Sequence, residues 1–288
     1  MYDFFFAPFE YGFLNRALAA CLALSLGCGP IGVLLVLRRM SLMGDALSHA
    51  VLPGAAVGFL IMGLSLPAMS AGGFVAGLLV ALASGFISRI THLREDASLA
   101  GFYLFSLAIG VLIVSVSGNN VDLMHVLFGT VLAVDNVSLY LVAGIATFTL
   151  VALCIVFRPL MFECFDPFFL KSAGSRGGPY HFVFLILVVL NLVAGFQALG
   201  TLMALGLMML PAIAAKFWAK KFLGLSVCAI IFAFLSGYLG LLMSYHYKFP
   251  SGPSIIIVAG VFYILSMAIG RYGSIYDHLF GTVARKSA

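Results

Sequence analysis

Runs of about twenty apolar residues, each closed by a short polar or basic stretch, follow one another from end to end of this chain. A helical run of that length matches the roughly 30 Å hydrocarbon core of a bilayer. In hydrocarbon every backbone N–H and C=O must be satisfied within the segment, so such runs fold as helices. The 288 residues are 63% hydrophobic and only 9% charged, which excludes a soluble domain and leaves no room for an appended catalytic one. At about twenty residues per span the length accommodates eight to ten helices. The expectation is an all-α, polytopic transmembrane helical bundle, with residues 1–288 forming a single domain.

The formal charge is +5. In a soluble chain that would hint at nucleic acid; here the basic residues cluster beside apolar spans and read as cytoplasmic anchors against lipid, with no nucleic-acid partner. Cys21, Cys28, Cys154 and Cys228 lie in apolar stretches and Cys164 in a loop, without CxxC spacing, so neither a disulfide framework nor a thiolate metal site is expected. The opening MYDFFFAPFEYG carries acidic charge and no basic region, so the first true span is expected to serve as the insertion signal.

Spans are expected over about residues 13–37, 42–64, 69–90, 99–116, 137–157, 180–199, 201–218, 225–245 and 254–271. The segment 121–134 is too short to cross upright and is expected as a re-entrant half-helix. That gives about nine spans plus one short half-helix, with the N-terminus outside and the C-terminus in the cytoplasm, because Arg38-Arg39 closes the first span.

The stretch from Arg38 to Gly54, RRMSLMGDALSHAVLPG, places an Asp and a His four residues apart in this apolar background. On a helix, Asp45 and His49 share one face about 6 Å apart along the axis. Ionisable groups within a span are costly and therefore functional by default. A carboxylate and an imidazole so placed suit a metal ion, and two such helices facing each other across a symmetry axis would supply two oxygens and two nitrogens. The alternative is that Asp45 caps a helix and His49 hydrogen-bonds a neighbouring carbonyl. Asp45 lies only about 9 Å of helix beyond Arg39, shallower than a midplane site. His92 reads as solvated in the polar loop THLREDAS, and His125 as interfacial or at the outer mouth of a pathway.

Pro211 is expected to kink or end the span beginning near residue 201, leaving 212–223 as a short amphipathic element that docks in a partner's groove or simply anchors through its lysines. There is no G-x-x-x-x-G-K-S/T and no Gly-Lys pair anywhere, so the chain does not cradle ATP phosphates in that way. Few other charges fall within the spans, which argues against a proton-relay transporter.

At GDALSHAVLPG and GTLMALGLMMLPAIAAKFW, and near LMHVLFGT, the sequence resembles the membrane permeases of ABC importers for zinc and manganese, those fed by cluster A-I metal-binding proteins. The resemblance implies an ABC importer permease fold in an inner membrane. It also implies a homodimer, a separate ATP-binding cassette ATPase and an extracytoplasmic metal-binding protein as partners. In that family the Asp and His of the GDAxSHA block bind metal, matching Asp45 and His49. The element after the Leu-Pro-Ala block couples to the ATPase, matching Pro211, Ala212, Lys216, Trp218, Lys220 and Lys221. No cofactor is permanently bound; zinc, or next manganese, is the transported ion. A permease for a siderophore or cobalamin chelate is the nearer alternative, and an intramembrane metalloenzyme the more distant one, though no HExxH-like pair is visible.

Overall fold

The computed structural model describes residues 11–63, 65–91, 93–116, 134–165 and 178–275. These residues form nine helices: α1 Gly12–Leu37, α2 Met43–Met62, α3 Leu66–Ile90, α4 Glu95–Val116, α5 Asn136–Phe165, α6 Gly178–Leu199, α7 Thr201–Ala215, α8 Phe222–Tyr247 and α9 Ser251–Ile269. Eight are long and apolar enough to cross a membrane; α7 is the shorter exception. Its 15 residues span only about 22 Å, so the helix at the expected span 201–218 is shorter than a full crossing. The expected half-helix at 121–134, apart from its last residue, lies outside the described residues, as do His92 and His125.

Most of α1 and α6 is buried, whereas α4, α5 and α9 are largely open. Around α1 stand α5, α6, α7 and α8, and α2 is wedged between α3 and α4. Apolar side chains gain nothing by leaving lipid for another apolar surface, so close helix approaches and a few polar contacts decide this order. A Cβ on Gly54 would collide with the Gly72 carbonyl, and one on Gly72 with the carbonyl of Gly54; α2 and α3 therefore meet backbone to backbone. Between α5 and α6, the buried Asn191 amide donates to Thr149 Oγ1 at 2.7 Å.

Two connections are tight enough to fix the neighbouring helices. The α1–α2 link is a Schellman closure: Met40 N–H donates to Leu35 O at 2.9 Å and Arg39 N–H to Val36 O at 3.2 Å, with Arg39 left-handed at φ 59°. A single residue, Gly200, joins α6 to α7 at φ 92°, a conformation that a side chain would disfavour.

Two expected breaks do not occur. α5 runs on through Arg158 and Pro159 to Phe165, two turns beyond the expected end near Phe157, and Arg89 of α3 forms an ion pair with Glu163 there. α7 contains Pro211 and continues to Ala215. No separate helix forms over 212–223: residues 212–215 complete α7, 216–221 are turns and Phe222 opens α8. Proline is tolerated inside membrane helices where neighbours satisfy the freed carbonyl or pack the ring, and Pro211 is buried among them.

Candidate functional site

Asp45 lies in the first turn of α2, where the positive end of the helix dipole favours a carboxylate. His49 follows one turn later, and His49 Nε2 stands 3.8 Å from Asp45 Oδ1. Two ligands at about 2.1 Å from one tetrahedral ion are separated by roughly 3.4 Å, so a contraction of a few tenths of an ångström brings both onto a single ion. The Asp45 side chain is 57% exposed and that of His49 46%. They belong to an open stripe of α2 with Leu42 and Leu60, while Leu47, Ala50, Val51 and Gly54 face the bundle. The two residues that the sequence singles out are thus brought together on a face that the described residues leave about half exposed.

Beside them lies a cavity of about 250 Å³, walled by Arg39, Met40 and Asp45 from the α1–α2 corner and by Glu95, Asp96 and Tyr103 from α4. The Tyr103 ring stacks on His49 with centroids 6.4 Å apart. The pair therefore lies near the end of the bundle that carries Arg38 and Arg39. Among the described residues no group of three or more His, Cys, Asp or Glu side chains is placed to hold a metal ion. Asp45 and His49 are two such groups, brought together on one helix.

A second histidine, His181, is not among the residues that the sequence singles out. It sits in the first turn of α6, 4% exposed. Arg38 Nη1 donates to His181 Nδ1 at 2.8 Å, and His181 Nε2 lies 2.8 Å from Glu95 Oε1. The Arg38 guanidinium also lies 4.4 Å from the Phe184 ring centroid. The signal that could have found it is the rule that picks out Asp45: an ionisable residue inside an apolar run.

The 216–221 turns expose Lys216, Trp218, Lys220 and Lys221, with Phe217 and Ala219 half-buried between them. Pro211 and Ala212 are buried one turn back in α7. The same helix carries Leu205, Met208 and Met209, whose side-chain ends fill the space over Gly44, the residue before Asp45. The candidate coupling segment and the candidate metal pair are thus mechanically adjacent.

Eight apolar helices and the family match make this a multi-pass transport permease of the inner membrane. Residues 10–270 match the ABC 3 transport family, and the chain belongs to it. It is 32% identical over 260 residues to the manganese import system permease protein ScaB of Streptococcus parasanguinis, covering 90% of this chain and 91% of that one. The manganese transport system membrane protein MntC of Halalkalibacterium halodurans is 34% identical, covering 91% of this chain and 89% of its own length. The chelated iron transport system membrane protein YfeD of Yersinia pestis is 31% identical, covering 98% and 91%. Among solved structures, PsaBC from Streptococcus pneumoniae in complex with Fab superposes with a TM-score of 0.82 at 30% identity, over 96% of this chain and 98% of the other.

Proposed function

We propose that the chain is the membrane-spanning subunit of an ATP-driven importer of divalent transition metal ions, with manganese as the first cargo and zinc as the second. Two copies meet across a twofold axis, and Asp45 and His49 of each face a shared ion. The observation that carries this reading is the half-exposed Asp45–His49 pair on the open face of α2: two ligands per chain become four in a symmetric pair. Carboxylate and imidazole serve both ions; what supports manganese ahead of zinc is the cargo for which the ScaB and MntC relatives are named. The YfeD relative's name keeps a chelated-iron cargo as a second reading.

Energy comes from a partner ATPase that engages the exposed 216–221 turns, and the ion is delivered by an extracytoplasmic binding protein. The family match supports both. In operation the pair of chains holds a dehydrated ion briefly and rocks between outward and inward openings as ATP is consumed on the partner. His49 aids release, since protonation or displacement of one ligand lowers affinity without a large rearrangement.

The test is ATP-dependent uptake of radioactive manganese, zinc and a ferric chelate into vesicles holding the permease, its ATPase and its binding protein. Asp45→Ala and His49→Ala are each expected to lower uptake of the favoured ion by more than about 100-fold, with assembly intact. Undiminished uptake in both variants would reduce the pair to structural residues, and preferential uptake of the chelate would favour the second reading.

A further inference from the structure

The 216–221 turns are held by α9 as well as by the helices on either side of them. Trp218 Nε1–H donates to Ser266 Oγ at 2.9 Å. Beyond the end of α9, Tyr272 N–H donates to Phe217 O at 2.9 Å, and Lys220 Nζ stands 4.6 Å from the Tyr272 ring centroid. Gly270 lies so close that a Cβ there would meet Phe217 Cβ at 2.5 Å. Four contacts of different kinds thus converge on six residues from one helix end.

Geometry gives this clasp a consequence. The held segment adjoins α7, and about 10 to 16 Å along that helix Met209, Met208 and Leu205 rest over Gly44. A Cβ on Gly44 would stand 2.8 Å from Leu205 Cδ1 and 3.1 Å from each methionine Cε. A turn held only by its two flanking helices would absorb a push by bending. A turn pinned at Phe217, Trp218 and Lys220 transmits it.

We propose that Ser266, Gly270 and Tyr272 of the α9 end are positioning residues for coupling: they hold the 216–221 turns rigid with α7, so that displacement by a partner ATPase reaches Gly44 and the Asp45–His49 pair. The proposal rests on the reading of these turns as the ATPase-engaging segment. Ser266 is its sharpest probe, because at 2% exposure it cannot touch a partner and acts on coupling only through Trp218.

The experiment measures manganese moved per ATP hydrolysed in proteoliposomes containing permease, ATPase and binding protein. Ser266→Ala is expected to lower that ratio about fivefold, the size of effect that one ordinary hydrogen bond corresponds to. ATPase co-purification and the hydrolysis rate are expected to persist. Trp218→Phe lowers the ratio similarly, and the double variant falls no further than either single one, as two ends of one contact require. Tyr272→Leu, which alters a half-exposed side chain and spares the buried hydroxyl, gives the same sign if Ser266→Ala fails to fold. An unchanged ratio in the folded Ser266→Ala protein, or in Tyr272→Leu where it must stand in, overturns the clasp, as does loss of ATPase association in either. Lys220→Glu with Lys221→Glu tests the underlying reading separately: if ATPase association and uptake both survive that change, these turns are not the engaging segment, whatever Ser266→Ala does.

Discussion

The bundle holds two histidine–carboxylate pairs near the same end, and they are built in opposite ways. His181 and Glu95 are 2.8 Å apart, and the histidine is buried, with Arg38 donating to its other ring nitrogen. A guanidinium has no acceptor, so His181 Nδ1 accepts from Arg38. Arg38 and Glu95 thus lie on either side of the buried ring. Asp45 and His49 stand 3.8 Å apart and about half exposed. The difference teaches that a histidine beside a carboxylate in a membrane helix is not in itself a metal site. One pair is buried, accepts a hydrogen bond from Arg38 and ties α1, α4 and α6 together; the other stands about half exposed.

The strongest way to break the comparison is His181→Leu. Removing the central member of a buried charged arrangement leaves Arg38 and Glu95 facing each other across a gap, which costs about 3 kcal/mol. Thermal unfolding in detergent is expected to report that loss, while manganese affinity of the assembled transporter stays within about twofold. Full stability with weakened metal binding would put His181 in the metal path and erase the distinction between the two pairs.

A second, smaller effect separates the two faces of α2. Gly54→Val forces a branched side chain into the Gly72 carbonyl and is expected to cost about 2 kcal/mol. Leu60→Ala, on the open stripe and 42% exposed, is expected to stay within about 0.5 kcal/mol. Both are read by unfolding of the isolated subunit. If Leu60→Ala were the more damaging, the open face would already be covered within one chain, and a second copy would not be required to complete the half-site.

How much of this was legible in the sequence follows from what hydrocarbon does to side chains. The long spans were legible because backbone satisfaction demands helices of a set length, and the Asp45–His49 face because i, i+4 geometry follows from the helix alone. Which helices lie inside was not: α5 and α6 are equally apolar, yet α6 is mostly buried and α5 mostly open, since a lipid tail and a leucine offer similar surroundings. Arg158 reads as the end of a span and Pro211 as a kink or end, but α5 and α7 both continue past them. His181 was hidden for a third reason. Its partners Arg38 and Glu95 lie 143 and 86 positions away in sequence, and no short motif links them.

A third acid, Asp135, refines the comparison at its weakest end. Its Oδ1 accepts the Ser138 N–H at 2.8 Å, capping the start of α5. Hydrogen bonding from the Ser138 side chain, then from its backbone, holds the Asp135 carboxyl below the usual carboxylate range, with a small contribution from Arg16. Unlike Glu95 it is exposed, and unlike Asp45 its partner is a neighbour three residues on, so neither burial nor an external ligand is involved. A lowered folded pKa means that the contribution is fully present above the ordinary carboxylate range, near pH 4, and is lost as pH falls through the lowered value. Amide exchange at residues 137–139 should therefore accelerate only in acid. Asp135→Ala is expected to loosen this turn by about 1 kcal/mol at neutral pH, whereas Asp135→Asn keeps a side-chain acceptor and removes the acid dependence. Acid-sensitive exchange that persists in Asp135→Asn would assign the titration to another group and leave Asp135 as a cap whose charge is idle.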